Sequence, residues 1–177
     1  MSVATLATID DLLTIPGPAE LIDGEIVTMS PAGNDHGAIE SAFVALLHTW
    51  VRSRRLGRVY TGDTGFILDE QTVFCPDASF VSKARLVGVA GDHFVAAIPE
   101  LVVEVISPSD RYSKVIAKAQ RWLAAGAEQV WIADPATRSI EVLARVGQPG
   151  HYRIGDRISG PPALDGFASD VAEFFAD

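Results

Sequence analysis

The sequence contains almost no cysteine. Cys75 is the single cysteine among 177 residues, which excludes an internal disulfide and a zinc site built from four thiolates. Proteins of reducing compartments typically lack disulfides. We therefore expect this protein to be cytoplasmic.

Long apolar runs are absent as well. The N-terminal residues MSVATLATIDDLL lack the basic region and the following apolar run of a secretory signal. No later stretch reaches the roughly 20 apolar residues that a membrane-spanning helix needs. The sequence thus predicts a soluble protein that is not exported and has no membrane partner.

Positive charge is scarce. The chain has 14 Lys and Arg residues against 23 Asp and Glu residues, a formal net charge of −9 at pH 7. This is the wrong sign for a protein that coats nucleic acid without sequence preference. A local exception is a basic cluster, for which the solvated end of a helix is the simpler interpretation. Its members are Arg52, Arg54, Arg55 and Arg58.

Apolar residues, in contrast, are plentiful. They make up 48% of the chain, enough to bury a core in a single domain of this length. Helical and strand patterns follow one another without internal repeats or low-complexity tracts. We therefore expect residues 1–177 to form one α/β (α+β) domain, a mixed β-sheet flanked by helices.

Two apolar segments in the middle of the chain each carry one carboxylate. Residues 78–81 predict a short strand entered through Pro76, which places Asp77 at the start of the strand. Residues 101–106 are apolar except at Glu104 and predict a central strand covered on both faces. An ionised group there is costly unless it meets a cation or donors. A cation of the magnesium type, shared with Asp77, would remove that cost because such ions prefer carboxylate oxygens.

Two longer segments have the apolar spacing of amphipathic helices. We expect Asn34 or Asp35 to cap the first. The second follows the strand-breaking residues 107–110 and ends near Gly126. The predicted buried stripes are Ile39, Ala42, Phe43, Leu46, Leu47, Trp50 and Val51 on the first helix, and Val115, Ile116, Ala119, Trp122 and Leu123 on the second.

The second helix carries two lysines one turn apart. At about 100° per residue, Lys118 lies nearer the apolar stripe than Lys114 does. The long stem of Lys118 can pack against Trp122 while its ammonium reaches the two carboxylates. Lys114 is expected to remain in solvent.

Shorter elements are indicated by turn signals and short apolar runs. The expected elements are a helical turn at 8–13 with Thr8 and Asp11 as a capping box, a hairpin around Asp23-Gly24, strands on both sides of Gly62-Asp63, a short helix and loop within 83–98, strands on both sides of Asp134-Pro135, and a tail that is irregular until a short helix at 171–175.

Five segments, in this order, resemble the Uma2 (Uma-two) family of bacterial restriction endonucleases, a branch of the PD-(D/E)xK nuclease superfamily. They are ELIDGEIVTMSPAG followed by His36, then GRVYTGDTGFIL, CPDASFVS, PELVVEVISPSD and KAQRWLAAGAEQVWIADP. One departure from the superfamily pattern is Ile106, which stands where a lysine usually follows the glutamate by two positions. The resemblance implies that Lys118, on the next helix, takes the place of that lysine.

The resemblance also implies a fold and a reaction. The fold would be restriction-endonuclease-like, and the reaction would be hydrolysis of DNA phosphodiester bonds by water activated on Mg²⁺ or Mn²⁺. Asp77 and Glu104 would hold the ion together with the backbone carbonyl of Val105. Lys118 would orient the water and stabilise the phosphate.

Two further residues are candidates for the same site. Glu20 resembles an acidic position that lines the site in this superfamily, and its alternative is a solvated hairpin edge. His36 is a candidate for the substrate side of the site, although a histidine on an apolar stripe is more often a core or cap residue. The principal residues have alternatives too. Asp77 could be a turn aspartate, and Glu104 could form a structural salt bridge with Lys118 or an arginine.

Two other functions stay open. One is a binding or dimerisation module that keeps the nuclease fold without turnover, which the weak basic character favours. The other is a hydrolase of the glycosidase type, in which Asp77 and Glu104 act as acid and base without a metal. If DNA is the partner, the net charge favours a specific or structured DNA over an arbitrary duplex. A homodimer is also left open.

Overall fold

The structure, a computed structural model, describes residues 6–89, 91 and 93–175. Among these residues are three α-helices and twelve β-strands. The helices are α1 (Ile9–Leu13), α2 (Asn34–Arg54) and α3 (Tyr112–Ala125). The strands are β1 (Ala19–Ile22), β2 (Glu25–Thr28), β3 (Gly57–Thr61), β4 (Phe66–Asp69), β5 (Thr72–Phe74), β6 (Ala78–Ser82), β7 (Leu101–Val105), β8 (Gln129–Asp134), β9 (Ser139–Ala144), β10 (Gly150–Arg153), β11 (Arg157–Ser159) and β12 (Ala168–Asp170).

Six strands form the main sheet, in the order β10-β9-β8-β7-β6-β3. β7 and β8 run parallel, and all other neighbours in this sheet run antiparallel. A parallel pair needs a long crossover connection, and α3, which lies between β7 and β8 in the chain, provides it. All five residues of β7 are buried, as the sequence predicted for a central strand covered on both faces.

α2 covers one face of the main sheet with four buried residues of its predicted stripe, Ile39, Phe43, Leu47 and Val51. The Phe43 ring stacks on Phe174 with ring centroids 4.3 Å apart. The N-cap of α2 is Gly33, so the prediction of Asn34 or Asp35 as cap is wrong. The Asn34 amide donates to the Asp35 carboxylate at 2.8 Å, and neither side chain caps the helix.

α3 covers the opposite face. Ala119 and Trp122 are fully buried, and the other predicted stripe residues pack beside them. The helix ends at Ala125 with Gly126 as C-cap at φ 122°, a conformation that glycine adopts without strain. Both helix faces thus follow the apolar spacing of the sequence.

A second sheet has the strand order β2-β1-β5-β4. The β1–β2 hairpin turns through Asp23 and Gly24, which both have positive φ, 52° and 78°, as a tight two-residue hairpin turn requires. Arg121 of α3 donates to both carboxylate oxygens of Asp23, at 3.0 Å and 2.9 Å. This contact ties the small sheet to α3 and brings β1 toward the site described below.

The predicted turns are largely confirmed. Thr8 and Asp11 form the capping box of α1, and the strands predicted beside Asp134-Pro135 pair as β8 and β9. The strands predicted beside Gly62-Asp63 also form, but they separate into different sheets, β3 into the main sheet and β4 into the small one.

Two stretches differ from the sequence prediction. The described residues within 83–98 form turns, and Val95 forms a bridge with Phe66 instead of joining a short helix. Gly88 and Gly91 have φ values of 79° and 131°, which interrupt helical backbone geometry. Ala90 and Asp92 of this stretch lie outside the described residues.

The tail contains more structure than the predicted irregular segment. It forms β10, β11 and β12 and a 3-10 helix at Pro162–Leu164, whereas the short helix predicted at 171–175 is present as a 3-10 helix at Val171–Phe174. Strand β5 is a further element that the sequence pattern does not predict. These strands have only three or four residues, which is too short for an alternation of apolar and polar residues to be recognised.

Over the part of the chain that the structure describes, no helix is both long and apolar enough to cross a membrane. The assignment of residues 1–177 to one domain stays a prediction.

Candidate active site

The two predicted carboxylates lie on neighbouring strands. β6 and β7 are antiparallel, with Ala78 opposite Val103. Asp77, one residue before Ala78, therefore lies beside Glu104, one residue after Val103. The Val105 amide N–H donates to Asp77 Oδ2 at 2.6 Å. Asp77 is therefore held by the backbone of the strand that carries Glu104.

Glu104 faces α3, and its residue surface is only 7% exposed. Its Oε2 accepts from Lys118 Nζ at 3.0 Å, and its Oε1 accepts from the indole N–H of Trp122 at 3.0 Å. The helical spacing of Lys118 and Trp122 delivers both donors from one face of α3. A carboxylate in this buried position is satisfied by hydrogen bonds, as buried polar groups generally are.

Glu20 comes to the same place from β1. Its residue surface is 7% exposed, which excludes the solvated hairpin edge. Glu20 Oε1 lies 2.9 Å from Lys118 Nζ and accepts from the Cys75 amide at 2.7 Å. The Lys118 ammonium also donates to the Cys75 carbonyl at 3.3 Å. We call Glu20, Glu104 and Lys118 the acid–lysine cluster.

In the acid–lysine cluster, burial and the attraction between opposite charges change the pKa values of Glu104 and Lys118. Burial raises the pKa of the Glu104 carboxyl, and the attraction of the Lys118 ammonium opposes that change. Burial alone would lower the pKa of Lys118, but the Coulombic attraction of Glu104 and Glu20 outweighs it and raises that pKa. Lys118 is therefore an ammonium at neutral pH, held between two carboxylates. Lys114, one turn earlier, is exposed.

Three potential metal ligands converge on the other side of Asp77. We call His36, Glu40 and Asp77 the His36 triad, because one ligand atom from each lies within 4.8 Å of the other two. His36 Nε2 is 3.0 Å from Asp77 Oδ1, and His36 Nδ1 is 3.1 Å from Ser107 Oγ. The hydrogen bond to Asp77 raises the pKa of His36, against the opposing effect of burial.

Glu40 is the one member of the His36 triad that the sequence interpretation missed. Burial raises the pKa of the Glu40 carboxyl, while a hydrogen bond from the Gly62 amide, at 3.2 Å to Oε1, opposes that change. A signal was present in the sequence, since residues four apart on a helix share a face and Glu40 follows His36 at that spacing.

The structure thus brings the five predicted site residues around one end of β6 and β7. Asp77 contacts His36 directly, and Lys118 of α3 contacts both Glu104 and Glu20. The amide N–H of Val105 donates to the Asp77 carboxylate. The sequence prediction concerned the carbonyl of Val105, as a metal ligand. The salt bridge between Glu104 and Lys118, predicted as a structural alternative, is present.

The basic cluster lies away from this site. Its four arginines are exposed near the C-terminal end of α2 and the start of β3, and the Arg54 guanidinium stacks 3.3 Å from the centre of the Trp50 ring. At about 1.5 Å per helical residue, Arg52 is about 24 Å along the helix axis from His36. The cluster is not part of the candidate site.

Comparisons with known proteins give a consistent result. The model of the family Uma2, described as "Putative restriction endonuclease", matches residues 9–172. A crystal structure described as a "putative nuclease belonging to DUF820" from Anabaena variabilis aligns with a TM-score of 0.81 at 20% sequence identity, and the alignment covers 96% of this chain and 97% of the other. Curated proteins include no significant match. The predicted restriction-endonuclease-like mixed α/β fold is confirmed.

Proposed function

This chain belongs to the Uma2 family, and from that premise we propose that it is a metal-dependent endonuclease that hydrolyses phosphodiester bonds in DNA. The observation that carries the proposal is the position of the Lys118 ammonium. The ammonium contacts Glu104 on β7. The Val105 amide of the same strand donates to Asp77. Two carboxylates and one lysine at the junction of two strands and a helix are the groups that this hydrolysis requires.

The donor chemistry suits a divalent cation. Asp77 and Glu104 supply carboxylate oxygens, and the carbonyl of Val105 is the further ligand that we propose; Mg²⁺ and Mn²⁺ favour such oxygen ligands. When bound, the ion would lower the pKa of a coordinated water and neutralise charge on the phosphate. Asp77 is already oriented for this role by the Val105 amide.

Lys118 would orient the attacking water and stabilise the phosphate as negative charge develops. A lysine suits this role because its ammonium is a compact charge at the end of a long side chain. Its contacts with Glu20 and with the Cys75 carbonyl hold the ammonium in one position. Glu20 thus acts as a positioning residue for Lys118, and His36, which contacts Asp77, is proposed for the substrate side.

The experiment that tests the proposal combines metal binding with cleavage. Calorimetry with Mn²⁺ should detect binding, and Asp77→Asn and Glu104→Gln should each weaken it strongly while the protein stays folded, since both substitutions keep the side-chain shape. Cleavage of plasmid DNA should require Mg²⁺ or Mn²⁺. Unchanged Mn²⁺ affinity in both variants would refute the site, and hydrolytic activity that survives a chelator would favour a metal-free carboxylate pair.

A second candidate function is a binding module that keeps this fold without turnover. The observation that favours it is the engagement of both Glu104 oxygens, one by Lys118 and one by Trp122, which satisfies the carboxylate without a metal. A folded protein that binds DNA but shows neither Mn²⁺ binding nor cleavage would support this candidate over the endonuclease.

A further inference from the structure

We infer that the His36 triad is a binding site for a divalent transition-metal ion, distinct from the Asp77–Glu104 pair and sharing only Asp77 with it. The site combines one imidazole nitrogen with two carboxylates. Imidazole suits Zn²⁺ and similar ions such as Co²⁺, whereas Mg²⁺ and Mn²⁺ prefer oxygen ligands. The inference does not depend on nuclease activity.

Backbone geometry brings the three ligands together. His36 and Glu40 lie four residues apart on α2 and so project from one face of the helix. Asp77 meets them from the start of β6, with its Oδ1 3.0 Å from His36 Nε2. Bonds of about 2.0–2.2 Å to a metal place neighbouring ligand atoms about 3 Å apart. The separation of His36 and Asp77 therefore already fits two adjacent ligands of one ion.

Each ligand is oriented by a hydrogen bond from outside the triad. Ser107 Oγ is 3.1 Å from His36 Nδ1 and leaves Nε2 turned toward Asp77. The Val105 amide donates to Asp77, and the Gly62 amide donates to Glu40. Such outer hydrogen bonds, above all on the second nitrogen of a histidine, are characteristic of built metal sites because they fix ligand orientation.

Glu40 has the surroundings of a ligand. It is half-buried, and among the described residues no salt bridge to a lysine or an arginine includes it. A partly buried carboxylate without a lysine or an arginine beside it favours an environment that supplies a cation. Gly62 leaves room for it, because a Cβ at that position would come within 3.0 Å of Glu40 Oε1.

The first test measures Co²⁺ and Zn²⁺ binding by calorimetry, with Co²⁺ coordination followed by visible absorption. Glu40→Gln and His36→Ala should each weaken Co²⁺ binding at least about 10-fold, since loss of an outer partner alone typically costs about 10–100-fold. Glu25→Gln and His48→Ala are matched controls, because Glu25 and His48 are exposed and outside the triad. Both controls should bind Co²⁺ as the wild type does.

A second readout is the nitrogen spectrum of the histidine side chains. Addition of Zn²⁺ to protein with ¹⁵N-labelled histidine should shift Nε2 of His36 and leave His48 unchanged. Glu104→Gln should retain the Co²⁺ and Zn²⁺ binding that His36→Ala loses, whether or not the protein cleaves DNA. Equal Co²⁺ affinity in the wild type, Glu40→Gln and His36→Ala would overturn the inference, and so would an unshifted His36.

Discussion

At the scale of the residue, Glu104 is the side chain on which most contacts of the site converge. It is a buried carboxylate on a strand whose other four residues are apolar. Lys118 and Trp122 donate to its two oxygens, and Asp77 lies at the adjoining position of the next strand. Its removal would leave the partly buried Lys118 ammonium with one carboxylate fewer and the Trp122 indole N–H without its acceptor.

We predict that Glu104→Ala destabilises the metal-free protein by about 2–5 kcal/mol, because it empties a buried position and leaves the Trp122 indole N–H without an acceptor, although Glu20 still pairs with Lys118. Glu104→Gln should cost clearly less, since its amide oxygen can still accept from Trp122. Urea denaturation of the two variants measures both values. Equal losses of unfolding free energy would contradict the importance of the Trp122 contact.

The sequence predicted much of the site at this scale. Burial of Glu104 and the inward position of Lys118 followed from the apolar neighbours of each residue. The contact between His36 and Ser107 could not be predicted, because it joins residues 71 positions apart through the arrangement of α2 over the main sheet. Glu40 was missed because it borders the apolar stripe of α2 and resembles an ordinary solvated glutamate.

At the scale of the element, α2 carries His36 and Glu40 at one end and packs on the main sheet through its middle. Phe43 is fully buried, stacks on Phe174 and meets Trp131 edge to face with centroids 6.3 Å apart. The position of the His36 triad thus depends on how firmly this aromatic group fixes the helix.

Phe43→Ala should therefore destabilise the protein by about 3–5 kcal/mol, as large-to-small changes at aromatic core positions do. His48→Ala, on the exposed side of the same helix, should stay within about 0.5 kcal/mol of the wild type. Chemical denaturation of both variants provides the comparison. A small loss in Phe43→Ala would mean that α2 is fixed by contacts other than the aromatic group.

Long elements could be predicted from the sequence, and short ones could not. The long helices and the central strands have enough residues for their apolar period to be unmistakable. Strand β5 and the tail strands are too short, and their partners are chosen by the rest of the fold. The separation of β3 and β4 into different sheets is also a tertiary property that the local pattern around Gly62-Asp63 does not contain.

At the scale of the whole molecule, net charge and the position of the basic cluster govern any encounter with DNA. A net charge of −9 opposes binding to an arbitrary duplex. Arg52 of the basic cluster is about 24 Å along α2 from His36, a distance that corresponds to about 7 base pairs of duplex at ~3.4 Å each. A DNA that spans both regions must therefore extend well beyond the bond that is cleaved.

We predict weak binding to random duplex DNA at physiological salt. If the basic cluster supplies the phosphate contacts, the slope of log affinity against log salt should not exceed about 4 in magnitude. Substitution of Arg52 and Arg58 by alanine should reduce that slope by about 2. Arg153→Ala, on strand β10 at the opposite edge of the main sheet from β3, is the control. Fluorescence anisotropy across a salt series measures the slopes, and tight binding at physiological salt would contradict this account.

The rate of DNA nicking by two lysine variants tests the central claim most directly. Lys118 contacts Glu104 and Glu20, whereas Lys114 is exposed one turn earlier on α3. In Mn²⁺, wild-type protein should nick supercoiled plasmid, Lys118→Ala should be slower by about 10²–10⁴-fold, the range for a positioned catalytic group, and Lys114→Ala should match the wild type. Equal rates in the two variants, or no nicking by folded wild-type protein that binds Mn²⁺, would contradict the account.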